Sequence, residues 1–133
     1  MGWTKRLLAQ AKQFAGDQLE DPLIAARFAS LENELLALEL TALRVVATSS
    51  DGKPHPASSV LKLKGTQLQQ AVTELVVDLA GAFGVASGAD GGTTVPQWVR
   101  VATPRYLNFR KASIYGGSNE VQRQIIAGTI LGL

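Results

Sequence analysis

The chain has 133 residues, 46% of them hydrophobic and 18% charged, with a formal net charge of +2, one histidine and no cysteine. This length suits one domain with a sizeable core, while the missing thiols exclude disulfide frameworks, thiolate metal sites and cysteine nucleophiles. His55 alone cannot build a histidine triad or a multi-histidine zinc centre, so no metal site is expected. No run approaches the ~18 apolar residues of a membrane span, and Met1–Arg6 does not fit a secretory signal. A cytoplasmic protein without a membrane span is therefore expected.

Trp3, Leu7, Ala11 and Phe14 recur with the period of an amphipathic helix, which predicts a first helix over 2–18. Asp21-Pro22 supplies an N-cap followed by a proline at the first helical position. From there Ile24, Phe28, Leu31, Leu35, Leu38, Ala42 and Val45 form one stripe, which predicts a long helix over 21–49. Two prolines and a Ser-Ser-Asp-Gly turn signal make the segment to Ser58 a connector. A third helix, 57–83, carries Leu61, Leu68, Val72, Leu75 and Leu79, with Gly65 marking close packing inside it. The glycines of 81–92, followed by Thr93, Thr94 and Pro96, predict a long loop.

Thr103-Pro104 reads as the start of a short helix over 104–113. Gly116-Gly117 then makes a tight turn, and Ser118-Asn119-Glu120 caps a last helix over 118–131. Its apolar face includes Ile125, Ile126 and Ile130, candidates for contact or core. No strand-like alternation and no internal repeat is seen, so the fold class is all-α, an antiparallel four-helix bundle. From Gly91 to Leu133 five bases (Arg100, Arg105, Arg110, Lys111, Arg123) face one acid, Glu120, a balance suited to a small anionic partner. The total charge is too mild to point to nucleic acid. Trp3 and Trp98 read as packing residues, and Gln122 and Arg123, taken alone, as helix-surface residues.

The run Ser113-Ile114-Tyr115-Gly116-Gly117-Ser118-Asn119-Glu120-Val121-Gln122-Arg123-Gln124-Ile125-Ile126-Ala127, followed by Ile130-Leu131-Gly132-Leu133, resembles the C-terminal signature of flavin-dependent acyl-CoA dehydrogenases. The likeness extends upstream through Arg105–Lys111, Leu61–Gln67 and Asp21-Pro22-Leu23. It implies the C-terminal helical bundle domain of such an enzyme over residues 1–133, without the N-terminal helical and β-domains. The complete enzyme would bind FAD, oxidise an acyl-CoA to 2-enoyl-CoA, pass electrons to an electron-transfer flavoprotein and form a homo-oligomer.

Position by position, the resemblance puts Tyr115, Gly117, Ser118 and Glu120 at the flavin and acyl-CoA cleft, and Gly81 and Gly84 at a glycine turn that meets the FAD of a neighbouring subunit. Asp78 stands where many members have a flavin-contacting Gln. One branch of the family carries its catalytic glutamate where this chain has Gly116, and another supplies it from a stretch upstream of Met1. No catalytic residue is therefore assigned, and the isolated chain is expected to be inactive. The alternative is a stand-alone helical module that self-associates without catalysis.

Overall fold

A first helix, α1 (Gly2–Ala15), stops at Gly16, whose φ of 49° favours a residue without a Cβ. A 3-10 turn over Gly16–Glu20 leads to α2 (Pro22–Thr48), where the Asp21 side chain accepts from the Leu23 N–H at 2.8 Å and Pro22 occupies the first turn. Next come α3 (Ser58–Val85), α4 (Gln97–Phe109), a 3-10 turn over Arg110–Ser113, α5 (Asn119–Ile126) and a π-turn over Ala127–Leu131. This computed structural model describes residues 1–49, 55–85 and 95–133, and among them no strand occurs. The fold is all-α.

Side-chain pairings give the direction of each helix. Lys5 meets Glu39 at 2.9 Å and Lys12 meets Glu32 at 2.8 Å, so α1 and α2 run oppositely. Arg27 with Asp78 (2.8 Å) and Glu34 with Lys64 (3.7 Å) set α3 antiparallel to α2. The ring centroids of Trp3 and Phe109 lie 4.6 Å apart and those of Phe14 and Trp98 4.7 Å apart, which runs α4 antiparallel to α1 and closes the ring. Both tryptophans are thus packing residues. Their partners are aromatic, and the Phe14–Trp98 pair is stacked with 4° between planes.

α3 is the helix on which the others rest. Val72 and Leu75 are fully buried and Leu68, Val76 and Leu79 nearly so; they meet Leu7, Leu8 and Ala11 of α1, Phe28, Leu35 and Leu38 of α2, and Val99 and Ala102 of α4. Thr73 is buried too, its hydroxyl satisfied by donation to the Gln70 carbonyl at 2.8 Å. A Cβ on Gly65 would lie 3.8 Å from Leu38 Cδ2, an ordinary contact distance, so the α2–α3 packing leaves room for a side-chain methyl there and does not require the glycine expected to mark close packing.

Two expectations need correction. The fourth bundle helix is α4, which begins at Gln97 after Pro96, so Pro104 lies inside a helix rather than opening one. Pro104 and Arg100 are both exposed, and the Arg100 carbonyl deprived of its amide partner faces water, which makes the interior proline tolerable. The glycine-rich loop expected over 81–92 is helical to Val85, with a kink at Gly81 (φ 57°, ψ −142°), and its remainder lies outside the described residues. The last segment matches its expected limits but is not a bundle strut: α5 is laid against the N-terminal half of α3, and Ile125 and Ile130 stay 39% and 45% exposed.

Candidate functional site

The turn before α5 is built from below by a polar ladder on α3. Lys62 Nζ donates to the Gly117 carbonyl at 2.6 Å and the Ala112 carbonyl at 3.3 Å, and the Thr66 hydroxyl reaches the Ala112 carbonyl at 3.5 Å. Gln70 Nε2 donates to the Phe109 and Arg110 carbonyls, both at 3.2 Å. Residues 62, 66 and 70 are one turn apart on one helix face. Together they add donors to carbonyls at the end of α4 and in the following turn, of which Arg110 also accepts from the Ser113 hydroxyl at 2.9 Å.

On this footing Gly116 and Gly117 take φ of 67° and 90°, values that disfavour any side chain with a Cβ. A Cβ on Gly116 would meet nothing within 4 Å, whereas one on Gly117 would come within 2.5 Å of Gln122 Nε2. Gln122, expected on the helix surface, is 92% buried: its side chain folds under the turn and donates to the Gly116 carbonyl at 3.4 Å. Ser118 caps α5 by accepting from the Val121 N–H at 3.4 Å. Of the next two amides, that of Glu120 serves its own carboxylate, and that of Asn119 has no partner among the described residues.

Ile114 and Tyr115 are 70% and 57% exposed and, with Lys111, line a shallow groove beside this turn. Glu120 is exposed, and its carboxyl is held below the ordinary glutamate value by the backbone amide at its own position, the Ser118 hydroxyl, and then the charges of Arg123 and Lys62. A carboxylate so held is a weak base. Further in, the Arg110 guanidinium lies 4.3 Å from the centre of the Tyr106 ring, while its Nε and Nη2, like Asn119 Oδ1, are buried without hydrogen-bond partners.

Of the sequence-selected residues, Tyr115, Gly116, Gly117, Ser118 and Glu120 are brought together. Gly81 and Gly84 are not among them. They lie at the opposite end of α3, 19 and 22 residues beyond Lys62, or ~28 and ~33 Å along the helix axis. Gly81 is exposed and open, with nothing within 4 Å of a Cβ. Gly84 is buried: a Cβ there would press to 2.9 Å from the Ala80 Cβ, and its carbonyl accepts a short hydrogen bond from Thr103. Crowding by the preceding turn of α3 itself, at Ala80 and the Val77 carbonyl, therefore accounts for the glycine at 84. Asp78 pairs with Arg27 at 2.8 Å on the surface, both side chains about half exposed.

Lys62, Thr66, Gln70 and Gln122 escaped the sequence reading. The available signal was the four-residue spacing of polar residues along α3, apart from the exposed polar face of Lys64, Gln67, Glu74 and Asp78.

The acyl-CoA dehydrogenase C-terminal domain family matches residues 2–131. Over 114 residues the chain is 33% identical to the acyl-CoA dehydrogenase IpdE1 of Mycolicibacterium smegmatis and 35% identical to that of Mycobacterium tuberculosis, alignments covering 86% of this chain and 26% and 28% of those proteins. The chain thus spans about a quarter of the length of these curated relatives. No solved structure gives a significant match. With its signature seated on a ring of antiparallel helices, the chain belongs to the acyl-CoA dehydrogenase C-terminal domain family.

Proposed function

We propose that the chain is the C-terminal FAD-binding and oligomerisation domain of a cytoplasmic acyl-CoA dehydrogenase. The complete enzyme would oxidise an acyl-CoA to 2-enoyl-CoA in fatty acid metabolism and pass the electrons to an electron-transfer flavoprotein. The observation that carries this reading is the pair of positive-φ glycines, tied to α3 by Lys62 and opening directly onto the Ser118-capped start of α5. Bare backbone there admits a planar ligand, the first-turn amide of Asn119 favours an anionic oxygen, and exposed Ile114 and Tyr115 supply apolar contact. These residues fit one wall of a flavin cleft. Gly81, open at the other end of α3, and Gly84 beside it are assigned to a second flavin held by a neighbouring subunit.

Bound FAD supplies the hydride acceptor for the oxidation. This chain's own contribution is to bind and orient. It does not supply the base that removes the α-proton: Gly116 has no side chain, and the Glu120 carboxyl is shifted away from basicity. The base and the other wall of the cleft belong to the rest of the enzyme.

The test uses Gly117→Val in the complete enzyme, with flavin content read from absorbance at roughly 450 nm. Loss of flavin with the helical spectrum retained is the expected result, and full flavin occupancy would overturn the reading. The isolated chain, given FAD and a panel of acyl-CoAs, is expected to show no reduction of an electron acceptor. Saturable turnover would mean that a base within residues 1–133 has been overlooked. The alternative of a self-associating module without catalysis draws support from Leu36, Leu40 and Leu43 of α2, which are 55%, 53% and 66% exposed.

A further inference from the structure

Three side chains of α3 hold up the segment between α4 and α5, and only one of them is charged. Gln70 serves two carbonyls, those of Phe109 and Arg110, with a single neutral amide 3.2 Å from each, and Thr66 reaches the Ala112 carbonyl with a neutral hydroxyl. Lys62 makes the same kind of contact with an ammonium, 2.6 Å from the Gly117 carbonyl and 3.3 Å from that of Ala112. Bridging two carbonyls does not by itself call for a charge, as Gln70 shows. Setting an ammonium in a half-buried place also costs desolvation that an amide largely escapes.

The charge is left uncompensated as well. Lys5, Lys12 and Lys64 pair with Glu39, Glu32 and Glu34, whereas Lys62 forms no ion pair among the described residues, and Glu120 on the same turn stands 3.7 Å from Arg123 instead. A carbonyl and the N–H of the next residue share one peptide plane and point in opposite directions. By drawing electron density toward the Gly117 oxygen, Lys62 therefore strengthens the Ser118 N–H on the far side of that peptide as a donor. This N–H has no partner among the described residues. The ammonium lies ~5 Å from its hydrogen, inside the screening length of ~8 Å.

We propose that Lys62 is a positioning residue that sets the electrostatics of the flavin wall, holding one positive charge beneath the Gly117-Ser118 peptide and so favouring the reduced, more negative form of the bound flavin. The inference rests on the flavin reading of this turn and adds to it a control of reduction potential. Uptake of a hydride makes a flavin more negative, and a fixed positive charge close by raises the potential at which that happens. Only the rung of the ladder that touches the glycine turn is cationic; the two rungs that support the end of α4 and the Ala112 carbonyl alone are neutral.

The test is the flavin reduction potential of the complete enzyme, measured for Lys62→Met, which keeps the length of the side chain and removes its charge, and for Lys62→Arg, which keeps the charge. Lys62→Met should move the equilibrium between oxidised and reduced flavin about tenfold toward the oxidised form, a fall of ~30 mV for a two-electron couple, while Lys62→Arg should retain most of the parent value. A purely structural role would not separate the two variants in this way. If Lys62→Met releases its flavin on purification, the same tenfold is read as the ratio of its dissociation constants for oxidised and reduced flavin, to which the potential is linked. An unchanged potential in Lys62→Met overturns the proposal, as does an equal fall in both variants. Flavin content of Gly117→Val tells the two readings apart. Loss of flavin there with an unchanged potential in Lys62→Met removes only the role of Lys62, whereas full flavin in Gly117→Val removes the flavin reading and this inference with it.

Discussion

Replacing Gly117 by alanine tests whether the turn before α5 is held as described. The residue sits at φ 90°, outside the left-handed well that L-residues occasionally occupy, and holding an alanine there costs about 1–2 kcal/mol. The new Cβ would also come within 2.5 Å of Gln122 Nε2. That atom is the end of a flexible side chain, so it moves, and the loss is its hydrogen bond to Gly116, worth about 0.5–1 kcal/mol. The sum is about 1.5–3 kcal/mol. Gly116→Ala is the internal control: its φ of 67° lies near the left-handed well and its Cβ meets nothing, so about 1 kcal/mol is expected. In thermal unfolding of a domain this size, these costs correspond to losses of roughly 5–15 °C and 3–5 °C. Adding Gln122→Ala to Gly117→Ala removes the obstructed atom, so the two losses should combine to less than their sum. Equal effects at the two glycines, or strict additivity with Gln122→Ala, would refute the account of the turn.

Lys62→Met removes the charged donor to two carbonyls and should lower stability by about 1.5–3 kcal/mol, read by urea denaturation. Phe28→Ala empties a site 98% buried and should cost about 3–5 kcal/mol by the same measurement. Glu120 has a folded-state pKa below its ordinary value of 4.5, so its charge stabilises the fold above that pH, and this contribution is lost as pH falls through the folded value. Stability curves of the parent and Glu120→Gln should accordingly differ at neutral pH and converge in acid.

Periodicity made the first three helices legible because each carries one dominant apolar stripe, as in Leu7, Ala11 and Phe14 or Phe28, Leu35 and Leu38. The capping chemistry of Asp21-Pro22 and Ser118 was equally local and matched in kind. What misled was Pro104. A proline restricts the residues near it, yet whether it ends or interrupts a helix depends on whether water reaches the freed carbonyl, and that is a tertiary fact. The last helix misled differently. Its apolar residues have helical spacing, but spacing does not say whether a face meets a core, and α5 buries Gln122 while leaving Ile125 and Ile130 largely exposed. At the candidate site the glycines and the cap were readable from the motif. The ladder of Lys62, Thr66 and Gln70 was not, because its carbonyl partners lie 39 to 55 residues away.

α3 acts as a ruler. The glycine turn is fastened near one end through Lys62, and the kink at Gly81 sits near the other, with continuous helix between them. One residue inserted between Thr66 and Leu75 would rotate one end against the other by about 100° and lengthen the span by ~1.5 Å, turning either the polar ladder or the Leu75–Leu79 face away from its partners. Seven inserted residues would nearly restore the phase but would move the two sets of glycines ~10 Å further apart. Length change inside α3 is thus penalised twice, once in angle and once in distance.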